Sequence, residues 1–418
     1  MFFFNADNDM TTDKHNKRPN VPPLRFPEFT EPWETAKLGE VVEFCNERIS
    51  TSELSIDNYV STENLLQDFQ GVLPANSIPA DTNVISYKEG DILISNIRPY
   101  LRKVWKADNR GGCSTDVFVL RTKKSNCNSS FINYQIANDR FITYVMSGAK
   151  GVKMPRGDKK QMEKYSLSYP SFEEQDKIAH LLALLEQRIA LQNGLIEDLK
   201  NIKKYLMEQL FCQPKEKSPR LRLGGMSGEW KRVRLCDVVE RVSTRNKTNE
   251  CTRVLTIAAQ YGLIDQQEFF NKQIASSDLT TYYLLHRGDF AYNKSYSSDY
   301  PWGAVKRLDN YDEGVLSSLY ICFCPNHSID SDFLRHYFES TKWYRGISEI
   351  SGEGARNHGL LNMSVDDYFN TMHRFPSIEE QTCISHVLNT FDRKVLIEES
   401  ILEKLRRQKS YLLNNMFI

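Results

Sequence analysis

The sequence predicts an α/β protein built twice over. Two α/β domains are each followed by a long α-helix, and the two helices pack as an antiparallel coiled coil around an internal pseudo-twofold. Three observations predict this. Pro170 to Phe211 recurs without a gap as Pro376 to Phe417, with 14 of 42 aligned positions identical. Both copies place apolar residues at alternating spacings of four and three, the pattern of a helical seam. The stretch before each copy also opens alike, with Leu24-Arg25-Phe26, Trp33 and Leu38 matched by Leu221-Arg222-Leu223, Trp230 and Leu235.

Each helix begins on the same signal. Ser171 and Ser377 suit an N-cap, and Glu174 and Glu380 stand three residues on, as in a capping box. Pro170 and Pro376 hold the preceding residues extended. The seam of the first helix reads Ile178, Leu182, Leu185, Ile189, Ile196, Leu199 and Leu206. That of the second reads Ile384, Leu388, Phe391, Val395, Leu402, Leu405 and Leu412. About 40 residues of helix span roughly 60 Å, too long for one element of a small core. Polar residues interrupt both seams at matched places, Gln192 with Glu398 and Lys203 with Lys409. In an antiparallel pair Lys203 would meet Glu398 and Gln192 would meet Lys409, fixing register; otherwise all four extend to water.

Taken in order, residues 1–20 are polar and aperiodic and are expected to form a disordered tail. The first domain is placed at 21–170 and its helix at 171–212. A polar, proline-containing linker follows at 213–219. The second domain is placed at 220–376 and its helix at 377–418. The middles of the domains differ in sequence but keep a skeleton. Gly90 to Ser95 and Gly288 to Asn293 read as a turn entering a strand. Cys113 to Leu120 and Leu316 to Phe323 read as a following strand. Phe131 to Met146 and Asp332 to Ile347 read as amphipathic helices, each followed by a Gly-rich polar loop.

Length and composition bound the function. A chain of 418 residues holds two or three domains. Its formal net charge is zero, which argues against a uniformly basic coat but leaves room for local patches. Nine cysteines without a CxxC read as reduced thiols of a cytoplasmic protein. Cys322 and Cys324 would share one strand face and fit core packing. No apolar run reaches transmembrane length, and the opening MFFF is too short for a signal peptide. No phosphate loop, dinucleotide fingerprint or HExxH occurs, and an Asn-Pro-Pro-aromatic tetrapeptide is missing. The eight histidines are dispersed, and the recurrent pair His180 and His386 fits packing or capping. Asp265, Glu268 and Lys272 are spaced too loosely for a nuclease set. Neither a catalytic residue nor a metal site is expected.

Basic residues cluster instead, among aromatics and amides. Ser95, Asn96, Arg98, Tyr100, Arg102 and Lys103 follow the first Gly-Asp strand. Lys150, Lys153 and Arg156 lie in the Gly-rich loop after it. In the second domain Arg245 and Lys247 follow the opening, Lys294, Ser295 and Tyr296 follow the Gly-Asp strand, and Arg356, Asn357 and His358 lie in its loop. Such mixtures suit phosphate contacts and base-edge readout. Any one of these residues also fits an ordinary solvated surface, but the clusters occupy matched places in two copies.

The twin PS-x-EEQ helix openings, each followed by I-x-H-x-L, the Leu-Arg…Trp…Leu domain openings and the GDILIS strand together resemble the specificity subunit of type I restriction–modification systems. The resemblance covers the chain after about residue 20; GDFAYN in the second copy departs from the commoner pattern, so contacts assigned there rest on less. It implies that each globular domain is a target recognition domain and that the coiled coil spaces the two. It further implies a bipartite, asymmetric DNA site and two docked modification (methyltransferase) subunits, joined in the full complex by restriction subunits. S-adenosylmethionine, ATP and Mg would then be bound by those partners, and this chain would be non-catalytic with no cofactor of its own. A coiled-coil adaptor that binds only protein is the alternative, and the basic–aromatic clusters count against it. A self-sufficient methyltransferase would need a cofactor motif.

Overall fold

The structure, a computed structural model, describes residues 20–123, 125–213, 215–270, 278–351 and 359–418. Almost all of the expected tail, Lys272, and Arg356, Asn357 and His358 lie outside the described residues. The long helices run from Phe172 to Leu210 and from Ile378 to Asn415. The chain divides into two compact units that cut across the sequence divisions. One is Met1–Gln192 with Ile401–Ile418, and the other is Asn193–Ser400. Each unit thus holds one domain, the start of the helix that follows it, and the end of the other helix.

In the first unit the strands Val42–Phe44, Val117–Thr122, Ile92–Ser95 and Val104–Lys106 form an antiparallel sheet in that order. A second sheet joins Arg48–Ser50, Asn83–Tyr87, Gly111–Cys113 and Tyr59–Val60, the last pair parallel. A two-stranded ribbon, Glu34–Lys37 with Ser166–Tyr169, connects the domain opening to its exit. Helices Ser129–Ile136 and Asp139–Ser147 cover the first sheet. Buried Trp33, Phe131, Ile178, Leu182, Met416 and Phe417 lie in one cluster.

The second unit repeats the frame. Val239–Arg241, Ile321–Pro325, Phe290–Asn293 and Ala304–Arg307 keep the same order, and Lys231–Arg234 pairs with Met372–Phe375. The second sheet differs. Among the described residues only Tyr283–His286 with Glu313–Leu316 persists as strands, and a hairpin, Leu255–Ala258 with Gly262–Asp265, takes the outer place. The core gathers Trp230, Phe333, Ile384 and Leu388 around Leu210 and Phe211.

Two expectations are corrected. The strand read at Cys113 to Leu120 is two strands: Cys113 ends one sheet and Val117 begins the other. Leu316 and Ile321 divide the same way. The polar breaks Ser114-Thr115-Asp116 and Ser317-Ser318 fall where the chain changes sheets. The helix read at Phe131 to Met146 breaks at Asn138, whose side chain accepts from the Arg140 amide and caps a new helix. Its counterpart breaks between Glu339 and Tyr344.

Most of the helical seam is inside. Ile178, Leu182, Leu185, Ile196, Ile384, Leu388, Val395 and Leu402 are buried; Ile189, Leu199, Leu206, Phe391, Leu405 and Leu412 are half-buried. Within the second unit the helices run antiparallel, since Lys200 meets Glu399 while Lys203 meets Asp392. The Lys203–Glu398 layer expected from the sequence is replaced. Lys203 lies 2.9 Å from Glu339 and also pairs with Asp392, about 9 Å along the helix from Glu398. Its repeat mate Lys409 goes to Glu186, at 2.6 Å, the position equivalent to Asp392. A lysine stem reaches across a seam and along it, and each ammonium has taken a carboxylate there.

The capping boxes are half formed. Ser171 and Ser377 accept from the Glu174 and Glu380 amides at 3.5 Å each. The two carboxylates do not turn back. Each is buried and grips the arginine of the domain opening, Glu174 with Arg25 and Glu380 with Arg222. Gln175 and Gln381, equally buried, accept the Asn128 and Asp330 amides at 2.9 and 2.7 Å. The PS-x-EEQ motif therefore joins helix, domain opening and domain helix at one point.

The Gly-Asp pairs are turn residues. Gly90 and Gly288 sit at φ +86° and +96°, a region glycine enters freely. The Asp91 and Asp289 carboxylates accept the Lys88 and His286 amides, each at 2.8 Å. Arg121 clasps Asp91 with two bonds of 2.8 and 2.7 Å; at the same register the second unit has Cys324. Burial without a guanidinium pushes the Asp289 carboxyl above its ordinary value, although the His286 amide opposes this. The folded form then holds its proton more tightly than the unfolded one. Asp289 therefore subtracts stability as pH rises from the ordinary carboxylate range through its raised value. We expect Asp289→Asn to stabilise the second unit at neutral pH. Asp91→Asn should cost about 1.5–3 kcal/mol in the first, by breaking the two-bond clasp and leaving Arg121 its contact with Glu47 at 3.2 Å. Urea denaturation at neutral pH checks both signs.

Candidate nucleic-acid interface

In the first unit the chain leaves strand Ile92–Ser95 into a strained loop. Arg98 and Arg102 flank the turn Pro99–Leu101 at φ +50° and +55°, where side chains other than glycine are uncommon. The Gly-rich loop folds against it. The Arg98 amide donates to the Pro155 carbonyl at 2.7 Å, and the Gly157 amide to the Asn96 carbonyl at 2.9 Å. Lys150 and Arg156 close that loop with two mutual backbone bonds of 3.0 and 2.9 Å. Gly151 makes the bend at φ +96°. Two segments more than 50 residues apart in sequence thus form one projecting surface.

The predicted residues divide on this surface. Arg98, Tyr100, Lys150, Lys153 and Arg156 are exposed. Arg98 and Lys153 have no ion pair among the described residues. Lys150 lies 2.8 Å from Asp158 and Arg156 3.5 Å from Asp116, solvated pairs of the kind worth little. Asn96 is half-buried, and its carboxamide oxygen has no partner.

The other three are turned inward or committed. Ser95 is buried and its hydroxyl donates to the Ile97 carbonyl, because the last strand residue points into the sheet. Arg102 lies 3.2 and 2.9 Å from Asp68 and Asp139, solvated pairs of the same kind, since its own side chain is 41% exposed. Lys103 donates to the Thr62 carbonyl, and desolvation lowers its proton affinity. The sequence reading missed the loop tip. Val152 is fully exposed and Met154 is nearly half exposed; apolar residues between lysines in a polar loop were the available signal.

The second unit builds the same contact. Ser295 bridges Leu360, the Tyr296 amide donates to Gly359, and the Leu361 amide donates to Lys294 at 3.0 Å. Ser295 is exposed, whereas Lys294 and Tyr296 are half-buried. Lys294 lines a cleft with Arg241, Tyr283 and residues 318–322. Exposed Arg245 bridges Tyr283 through its backbone, which sets it beside that cleft, and Lys247 is exposed two residues on. Glutamate, histidine and aspartate do converge at His336, Glu339 and Asp392. The Lys203 ammonium and the Arg335 guanidinium already neutralise that cluster.

Residues 30–201 match the family model of the type I restriction modification DNA specificity domain. The type I restriction enzyme MjaVIII specificity subunit of Methanocaldococcus jannaschii is 26% identical over 94% of this chain and 92% of its own length. The type I restriction–modification S subunit from M. genitalium shares the fold, with a TM-score of 0.56 at 14% identity over 95% of this chain and 99% of that one. A chain from a structure of assembly and conformational transition in the type I R-M system gives 0.53 at 16% identity, over 93% and 99%. No helix among the described residues is long and apolar enough to cross a membrane. Residues 30–201 thus carry the type I restriction modification DNA specificity domain, and the likeness to type I specificity subunits extends along nearly the whole chain in sequence and in fold.

Proposed function

We propose that the chain selects a bipartite, asymmetric DNA site, each domain reading one half. The observation that carries this is the repeated loop clamp with unrepeated side chains. The loop after the Gly-Asp strand meets the end of the Gly-rich loop in both units. Arg98, Tyr100, Lys153 and Arg156 project in one, and Lys294, Ser295 and Tyr296 occupy the matching place in the other. A constant frame with different projecting groups suits two different half-sites. Arg245 and Lys247 extend the second surface, and Arg356, Asn357 and His358 are assigned to it from the sequence alone. Val152 and Met154 suit contact with thymine methyls or a base step.

The chain supplies no chemistry in this reading. Two identical modification subunits bring S-adenosylmethionine and methylate adenine in each half, and restriction subunits add ATP- and Mg-dependent cleavage. Exposed apolar positions that repeat on the long helices support two copies of one partner. Leu191 with Tyr411 in the first unit matches Ile397 with Tyr205 in the second. Tyr205→Glu alone should leave one modification subunit bound per chain, and Tyr205→Glu with Tyr411→Glu should leave none, as native mass spectrometry would count.

Methylome sequencing tests the recognition reading. A host carrying this chain and its modification partner should show one new bipartite motif, with methyladenine in both halves and a fixed gap. Arg98→Ala with Lys153→Ala should weaken binding and flatten its salt dependence by about one to two phosphates. Unchanged methylation with the partner demonstrably bound would favour the protein-only adaptor.

A further inference from the structure

The second unit carries a cluster of cations to which the half-site reading gives no role. Its ribbon sets Arg232 directly opposite Arg374. Like charges facing each other across two strands are destabilising. In the first unit the same register places Thr35 opposite Ser168, with hydroxyls 3.4 Å apart. The frame therefore accommodates a neutral pair, and the arginines are not needed to build it.

The two arginines border a cleft of about 180 Å³, several times the roughly 30 Å³ share of one water. Lys342 and Arg345 line it as well, with Gln213 and His373. Lys342 is buried and pairs with Glu208, and Arg345 lies 2.7 Å from Glu349. Arg374 donates to the Trp230 carbonyl at 3.2 Å. Among the described residues no carboxylate pairs with Arg232 or Arg374. His373 bonds Tyr337 and Thr371, and its burial pushes it down to about 4, so it is neutral at physiological pH. Two carboxylates thus serve four cations, and the two unmatched ones face each other.

We propose that this cleft binds a phosphate-class oxyanion; the first unit has Thr35 and Ser168 in place of the two facing arginines. A tetrahedral oxyanion accepts from several directions, which suits guanidinium groups converging from two strands and a helix. The same chemistry belongs to free phosphate and to a DNA backbone phosphate.

The test uses the full chain, at constant ionic strength, titrated with inorganic phosphate by calorimetry. One saturable site per chain is expected. Arg232→Gln with Arg374→Gln should weaken it at least about tenfold, and Arg345→Gln should weaken it separately. Without phosphate the double variant should melt no lower than the parent, because it relieves repulsion; this also guards against loss through misfolding. A short duplex that displaces phosphate identifies the backbone as the source, and one that does not identifies the free anion. Absent saturation, or equal binding by the parent and the folded variants, overturns the site. Methylation specificity reports separately on the half-site reading.

Discussion

Phe417→Ala, one residue from the carboxyl end of the sequence, is expected to destabilise the amino-terminal domain by about 3–5 kcal/mol. Phe417 is buried, its ring centroid is 5.2 Å from that of Phe131, and Phe131 in turn meets Trp33. Met416 fills the adjoining space, and the Leu24 amide donates to the Asn415 carbonyl at 2.9 Å. Removing residues 416–418 should have a larger effect of the same kind. The mirror experiment is Phe211→Ala. Phe211 packs on Phe333 at 5.4 Å, and the Leu221 amide donates to Gln209, so this change should act on the second unit alone. Hydrogen exchange would separate the two. Faster exchange in strands Ile92–Ser95 and Val117–Thr122 is expected for Phe417→Ala, and in Phe290–Asn293 and Ile321–Pro325 for Phe211→Ala. Changes confined to the helix ends would contradict both.

Arg25→Ala is expected to cost about 3–5 kcal/mol, because it strands a buried carboxylate. Glu174 is 1% exposed, and Arg25 meets it through two bonds of 2.8 and 2.7 Å. The pair ties the domain opening to the start of the helix. Arg222→Ala should act equally on the second unit through Glu380. Replacing both partners, Arg25→Met with Glu174→Leu, should restore most of the loss, since two apolar groups leave nothing unpaired. Guanidinium denaturation of the single and double variants measures this. A double variant as unstable as Arg25→Ala would mean that the pair's hydrogen bonds, not the isolated charge, hold the junction.

The sequence exposed one half of each of these contacts. Leu-Arg recurs in both domain openings and Glu-Glu-Gln in both helix starts, but nothing local says that Arg25 and Glu174, 149 residues apart, are partners. Local chemistry suggested a capping box instead, and the structure uses only its serine. The candidate interface divided in the same way. Residue type marked Arg98, Tyr100 and Lys153, whereas Ser95 turned inward, and Arg102 and Lys103 found partners far along the chain. The strand pleat directs Ser95, and Arg102 and Lys103 meet Asp68 and Thr62.

By itself the sequence determined the duplication, the two long helices, their apolar seam and the order of the main elements. Helical periodicity and internal repetition are local or self-referential, so they can be read without knowing what touches what. Only the tertiary structure decided that each compact unit draws on both long helices. It also decided that the seam lysines reach Asp392 and Glu186, that an apparent single strand changes sheets, and that two distant loops make one surface. These outcomes turn on side-chain direction and on which distant groups can satisfy a buried charge or fill a gap. Both are properties of packing, and sequence spacing does not record them.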